Sequence, residues 1–489
     1  MKIAGIDIGT TACKVSLYED TGKLLAECER EYPSLCRKSA TEIDMEGIFQ
    51  SVCSVLEGVS RQADGLAAIG VTSFGETFVL LDESDAPLML SMLYTDPRGT
   101  EQSDRLAAEM GDMRVASITG AYPNPMYSLP KLMWIAENRP DILEKTKHIM
   151  LVQDYVVFRL SGERQIDASL AARTMAMDLA RQDWSGEILR HARVRPEMLP
   201  RIVPSGTVAG EILPSLAERL GLPGKIQIVS GCHDQIAACI GAGVLRPGMA
   251  ADGSGTVQCI TPVYRGIPDA ERIQQGRYAV VPFVHPGEYV SYAFSFTGGA
   301  LLKWFRDEMM KRPGDSAFYE EMNAAMPSSP TGMLVLPHFA GAGTPYMDPA
   351  AEGAIVGLKI GTTAQDLYRA MMEGVAYEMR VNMECLARAG VAVDGLMASG
   401  GGARSVQWLQ IKADVLNTPI TTLGTAQCGT LGSIILSGHA CGAYASLEEG
   451  AQVFVHPGRV FGPRPEVRAQ YDEIYARYKN LYQAVRTLA

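Results

Sequence analysis

The chain opens with an apolar run, KIAGIDI, that breaks at Asp7 and a glycine-threonine turn and then resumes as a second strand ending near Tyr18. Thr21-Gly22 begins the next turn. Two apolar runs joined by so short a turn predict an antiparallel hairpin with hydroxyls at its tip. The plan recurs mid-chain in GMAADGSGTVQCITPVY, with apolar residues, Asp252, a Gly-Ser-Gly-Thr turn and another strand. A pattern built twice predicts an internal duplication whose halves share one ligand.

Between the hairpins, strand-like runs (LAAIGVTSF, HIMLVQD, KIQIVSG) alternate with helix-like stretches (KLMWIAEN and residues 185 to 192). That alternation predicts a layered α/β fold. Beyond the second hairpin come helical patterns over residues 299 to 311 and 364 to 389, the strand-like GLMASGGG, helices over 405 to 416 and 428 to 438, and a short helix-like end over 466 to 487. At 489 residues the chain exceeds what one hydrophobic core organises. Two domains are expected, 1–245 and 246–489, parted at the Leu245-Arg246-Pro247-Gly248 turn.

Charge and composition narrow the function classes. Hydrophobic content of 47% and charged content of 20% describe a globular protein rather than a disordered one. A net charge of -11 repels nucleic-acid phosphates and anionic lipid, and no basic patch offsets it. Asp7 interrupts the apolar start too early for a signal peptide, and His233, Asp234 and Gln235 interrupt the best spanning candidate, 226 to 245. A cytoplasmic protein without nucleic-acid or membrane partners is expected. The ten cysteines are dispersed with no CxxC pair, which points to buried thiols rather than zinc or disulfides.

Several positions could carry chemistry. In DIGTTACK, Gly9 lets a ligand approach the backbone, Thr10 and Thr11 offer N–H and hydroxyl donors, and Lys14 adds positive charge. Asp7 could hold magnesium through water. Taken alone, the segment could equally be an ordinary hairpin tip. The second turn, with Asp252, Gly253, Gly255 and Thr256, could grip the same polyphosphate from the other half. Gly400, Gly401 and Gly402 lie between a strand and a helix start, where a base or ribose could rest on bare backbone. Neither a Walker A motif nor a dinucleotide fingerprint is present.

Asp234 ends the apolar strand KIQIVSG and starts an apolar helix, at the sheet edge where α/β folds place ligands. It could take a proton from an attacking hydroxyl, or simply cap the helix. His233 is read as a turn or packing residue. Glu76 and Asp96 follow strand-like runs and could accept hydrogen bonds from sugar hydroxyls, although Asp96 with Arg98 could instead form an internal salt bridge. Trp134, Trp304 and Trp408 read as core.

With these residues in view, the chain resembles the FGGY carbohydrate kinases, a branch of the actin-like ATPase superfamily. The resemblance spans nearly the whole chain. MYSLPKLMWIAEN at 126 to 138 and GAIVGLKIGTTAQDLYRAMME at 353 to 373 match the family's signature patterns, and TGGALLKWF and GAGTPYMDP look like further stretches of its second domain. The resemblance implies two ribonuclease-H-like domains with a central cleft for ATP, magnesium and substrate. It makes Asp7, Gly9, Thr10, Thr11 and Lys14 the first phosphate motif, Gly253, Gly255 and Thr256 the second, and Gly400 to Gly402 the adenosine motif. It makes Asp234 the catalytic base, with Glu76, Asp96, Asp234 and Gln235 on the substrate.

The pattern is most similar to the xylulokinase branch, so a ketopentose such as xylulose is the expected acceptor. Departures leave glycerol or another polyol or ketose as the alternative. Xylulokinases carry Gln-Met-His-Gly where this chain has Phe74-Gly75-Glu76-Thr77, and glycerol kinases carry an arginine in place of Gly75. His233 replaces a glycine usual in xylulokinases. A nucleotide-switched binding module is the rival of another class, and a homodimer is the expected assembly.

Overall fold

The repeated pattern folds into repeated topology. In the computed structural model, which describes residues 1–37, 40–425 and 427–488, eleven strands carry the account. They are β1 (Lys2–Ile8), β2 (Ala12–Glu19), β3 (Leu24–Glu31), β4 (Leu66–Ser73), β5 (Thr207–Glu211), β6 (Gln227–His233), β7 (Met249–Ser254), β8 (Gln258–Arg265), β9 (Gly395–Ser399), β10 (Ile420–Leu423) and β11 (Pro457–Phe461). Eight helices matter to the sites: α1 (Met45–Val59), α2 (Ser128–Asn138), α3 (Ala168–Ala172), α4 (Asp234–Gly241), α5 (Gly299–Trp304), α6 (Ala364–Arg388), α7 (Val406–Leu416) and α8 (Cys428–Ala440).

The first sheet has the order β5-β6-β4-β1-β2-β3. In the second, β8, β7, β9, β10 and β11 are consecutive neighbours. In each sheet an antiparallel hairpin (β1 with β2, β7 with β8) is extended by two parallel strands and then one antiparallel strand. The β2-β1-β4-β6-β5 series therefore has the same directions as β8-β7-β9-β10-β11. β1 reads as an almost continuous apolar run because it is central and buried on both faces.

The fold is α/β as expected, and the chain divides into two compact units. One comprises Met1–Leu245, Val280–Val290 and Gln427–Val455, and the other comprises Arg246–Ala279, Ser291–Ala426 and His456–Ala489. By contacts, two segments after residue 245 group with the first unit. The reason for the larger one is packing: α8 returns to lie on β1, β4 and α4. It comes close because side chains are missing on both sides. A methyl group added at Gly5 would collide with the Thr430 carbonyl, at Gly70 with the Ser437 hydroxyl, at Gly241 with the Cys428 carbonyl, and at Gly432 with the Ala237 carbonyl.

Elsewhere the elements follow ordinary rules. Helix α1 starts at Asp44, whose side chain accepts from the Glu46 N–H, and buries Ile48, Phe49, Val52, Val55, Leu56 and Val59 along one stripe. Helix α6 begins with a reciprocal capping box between Thr363 and Asp366. The predicted helix over 299 to 311 is α5 followed by a π-turn at Phe305–Met309, and the end of the chain is two helices, Pro465–Tyr478 and Leu481–Arg486. Among the described residues, no helix is long and apolar enough to cross a membrane.

The close approach of α8 makes a direct test. Gly432→Ala should lower stability by about 1–3 kcal/mol through overpacking against backbone. Gly186→Ala, at a position with nothing within 4 Å of the added methyl, should stay within about 0.5 kcal/mol of wild type. Thermal melts of the two variants check both; equal shifts would contradict the packing described.

Candidate active site

The first hairpin ends in a braced tip. Gly9 N–H donates to the Ala12 carbonyl at 2.9 Å, closing a turn whose exposed face is Thr10 and Thr11. Tyr32 supports it from behind, its hydroxyl donating to the carbonyls of Gly9 and Ala12 and its N–H to the Thr11 carbonyl. Asp7 on β1 lies opposite Lys14 on β2 in the hairpin register. Burial raises the Asp7 carboxyl to about 6, partly offset by Lys14. Lys14 itself is 3.4 Å from Glu27 Oε1. A side chain on Gly429, at the start of α8, would collide with the Asp7 carboxylate.

Asp234 stands where β6 gives way to α4, so the strand-to-helix break expected from sequence is real. It is the first helical residue rather than the cap. The cap is His233, whose Nδ1 accepts from the Gln235 N–H at 3.4 Å. Asp234 is 29% exposed, and its Oδ1 is buried 3.2 Å from His233 Nδ1. Its carboxyl is pushed up to about 8, first by burial, then by the negative charges of Asp7 and Glu76, with the Gln235 N–H and Arg173 pulling the other way.

Glu76 is only 4% exposed and has a left-handed backbone, φ 64°. The strain is held by Ser128 Oγ, which donates to the Glu76 carbonyl at 2.6 Å, and by a Thr77 N–H to Gly75 carbonyl bond of 2.7 Å. Arg173 Nε donates to Glu76 Oε1 at 2.6 Å, and its guanidinium lies 4.9 Å from the centre of the Tyr127 ring. Asp96 is used differently from the substrate contact expected of it. Its carboxylate accepts from Arg98 Nε, Nη2 and N–H and from the Thr41 N–H, and it is 1% exposed. The salt-bridge alternative describes Asp96.

Three residues of this region were not picked out from sequence. Arg173 had a signal, a lone arginine inside the small and apolar run LAARTMAM. Lys131 of α2 is fully buried, donating to the Tyr94 and Pro125 carbonyls, and burial lowers its ammonium to about 8 against the pull of Asp96 and Glu76. Its segment was noticed only as a family signature. Gly429 belongs to a glycine-spaced helix with no local hint of its partner.

In the second unit, a cavity of about 1390 Å³ is lined by Gly255, Thr256, Gly401, Gly402, Tyr319 and Trp408 among others. The two glycine turns predicted to bind nucleotide therefore open onto one space. The Gly255–Thr256 turn is braced by α5: Gly299 N–H donates to the Gly255 carbonyl at 2.8 Å and Ala300 N–H to the Thr256 carbonyl at 3.1 Å. Gly400 has φ 82° and packs so close to Ser254 that a methyl group there would meet its backbone. Gly401 and Gly402 form a short 3₁₀ turn, and Ser405 Oγ caps α7. A nucleotide's base and sugar fit such a cavity, with bare backbone at two places and an aromatic wall.

The two hairpins differ in one respect that sequence hid. Asp252, placed on β7 much as Asp7 is on β1, is fully buried and held by Lys412 Nζ at 3.1 and 2.9 Å. Lys412 also donates to Gln258 Oε1 at 2.8 Å and to Ser254 Oγ. Asp7 keeps an open side. Among the described residues no cluster of three or more His, Cys, Asp or Glu side chains is set to hold a metal. A lone carboxylate fits magnesium, which keeps water and takes phosphate oxygens as its other ligands.

Comparison with known proteins places the chain in a family. Residues 2–241 match the FGGY family of carbohydrate kinases, N-terminal domain, and residues 265–441 match its C-terminal domain. The chain is 28% identical over 491 residues to a xylulose kinase of Bacillus subtilis, covering 99% of this chain and 97% of that one. It is 30% identical over 479 residues to a glycerol kinase of Ralstonia nicotianae, covering 94% of each. The crystal structure of a gluconate kinase from Lactobacillus acidophilus superposes with a TM-score of 0.91 at 25% identity, over 99% of this chain and 98% of that one.

The raised carboxyl gives a signed pH prediction. In the unfolded chain Asp234 ionises near 3.8, whereas in the fold it holds its proton to about 8. Wild-type stability from this group is therefore complete at low pH and is lost as pH rises through that interval. Asp234→Asn, which cannot ionise, should gain melting temperature over wild type progressively between about pH 4 and pH 8 and level off above. A difference that does not change with pH would show an ordinary carboxylate.

Proposed function

Because this chain belongs to the FGGY family of carbohydrate kinases, we propose that it transfers the terminal phosphoryl group of ATP to a hydroxyl of a ketopentose such as xylulose, with Asp234 as the base. Kinases of this family take phosphate from ATP. The observation that carries the role of Asp234 is its place at the strand-to-helix break, part exposed, with a carboxyl raised to about 8 among Asp7 and Glu76. A carboxylate whose proton affinity is raised is suited to receiving the proton of an alcohol.

In the reaction the acceptor oxygen forms its bond to phosphorus as the bond to the bridging oxygen of ADP breaks, and the hydroxyl proton passes to Asp234. Glu76, fixed by Arg173 and by its own backbone, and Gln235 orient the acceptor through hydrogen bonds. In the first unit the turn at Gly9–Lys14 is suited to phosphate, and in the second the Gly255–Thr256 turn and the cavity beside Gly401 and Gly402 are suited to a nucleotide. Magnesium on Asp7 would supply positive charge against the transferring group.

Xylulose is favoured by full-length similarity to xylulose kinases. A polyol is the second reading, favoured by 30% identity to a glycerol kinase and by Glu76-Thr77. ADP release with xylulose, other ketopentoses, ketohexoses, tetruloses, gluconate and glycerol separates them. The highest kcat/KM is expected with xylulose, and faster turnover of glycerol or gluconate would replace it. Asp234→Asn should bind ATP as wild type does yet lose about a hundredfold or more in kcat; full turnover would end the base assignment.

A further inference from the structure

His233 reads from sequence as a packing residue, yet its side chain caps the helix that begins at Asp234 and lies against the Asp234 carboxyl. We propose that His233 is a positioning residue for Asp234, and that residue 75 is glycine so that the imidazole can take this place. The proposal rests on the reading of Asp234 as the base.

The ring sits at one junction of three constraints. Its Nδ1 accepts the Gln235 N–H at 3.4 Å, which fixes the first turn of α4. The same nitrogen lies 3.2 Å from Asp234 Oδ1, a buried oxygen with no formed hydrogen bond among the described residues. The backbone of His233 is fixed too, its N–H donating to Ser169 Oγ at 3.0 Å, while Ser169 Oγ donates to Asp167 at 2.6 Å. The side chain that orients the carboxyl is thus anchored at both ends.

Gly75 forms the wall on the far side. A methyl group added there would stand 3.0 Å from His233 Cδ2 and 3.2 Å from Arg173 Cβ. Contacts that short force a neighbour to shift, and the imidazole edge is the nearest atom. A side chain at 75 presses on the imidazole edge and on Arg173. The two positions that depart from the glycerol kinase and xylulokinase patterns, Gly75 and His233, are therefore within reach of each other and make one arrangement.

The chemistry suits a base whose charge changes during turnover. Burial and the positive charge of Arg173 keep His233 neutral, far below the usual histidine range. A neutral imidazole carries one proton on either nitrogen. With the proton on Nε2, Nδ1 accepts from the Gln235 N–H and from a protonated Asp234; with the proton on Nδ1 it donates to the ionised carboxylate and gives up the Gln235 N–H. A packing residue without a polar atom there serves neither state.

A double-mutant cycle read as steady-state kinetics tests this, with ATP and xylulose, or with whichever sugar of the panel above turns over faster. His233→Ala should lower kcat about tenfold or more while KM for the acceptor moves less than about threefold. His233→Asn, which returns an amide near Nδ1, should recover most of the lost kcat. Gly75→Ala should cost about tenfold in the wild-type background and less than about twofold beside His233→Ala, because the displaced ring is already gone. Losses that simply multiply, or a change confined to KM, overturn the proposal. Should His233→Ala fail to melt cooperatively, the same cycle is run with His233→Asn. Asp234→Asn assayed alongside separates the two readings: if it keeps full turnover the base assignment falls, and if it is inactive while the cycle is multiplicative only the coupling of His233 and Gly75 falls.

Discussion

The backbone of α8 lies directly against the first unit's sheet and against α4, and the active-site geometry depends on that approach. Four glycines, Gly5, Gly70, Gly241 and Gly432, remove the side chains that would hold these elements apart, and each touches backbone or hydroxyl atoms across the gap. The approach sets two carboxylates at once. Gly429 lets the start of α8 press against Asp7, and Gly241 and Gly432 fix the helix that begins at Asp234. Close-packed interiors have no spare volume, so a change of one methyl group at this seam is transmitted to both.

The electrostatics follow from that packing. Asp234 lies in a poorly solvated region where burial and the negative charges of Asp7 and Glu76 disfavour its ionisation, while the Gln235 N–H and Arg173, which is bonded to Glu76, pull the other way. The result is a carboxyl that binds its proton more tightly than an ordinary aspartate. The second unit repeats the topology and inverts this balance, for Lys412 neutralises Asp252 completely within the protein. Duplicated architecture thus carries one edge with a raised carboxyl and one edge with an ion-paired carboxylate near a cavity.

Much of this was legible along the chain. Both hairpins, the turn residues Gly9 to Thr11 and Gly255 to Thr256, and the break at Asp234 are local patterns of apolar runs and glycines, and such patterns read well because they depend on neighbours in sequence. What could not be read was contact across distance. Nothing near Lys412 points to Asp252, 160 residues away, and nothing near residues 428 to 440 says that they leave the second unit for the first. Asp96 was ambiguous because a carboxylate followed by Arg98 serves a substrate or a salt bridge equally well until Thr41 is seen to donate to it as well. His233 was passed over because histidine in a turn is ordinary, and only its distance to Asp234 gives it weight.

Phosphoryl transfer as proposed requires that an alcohol meet Asp234. A crystal structure with ADP and the preferred acceptor measures that directly. It should show one acceptor hydroxyl within about 2.6–3.2 Å of the Asp234 carboxylate. An acceptor bound with its hydroxyls turned toward Asp96 and Arg98, or out of reach of Asp234 altogether, would contradict it.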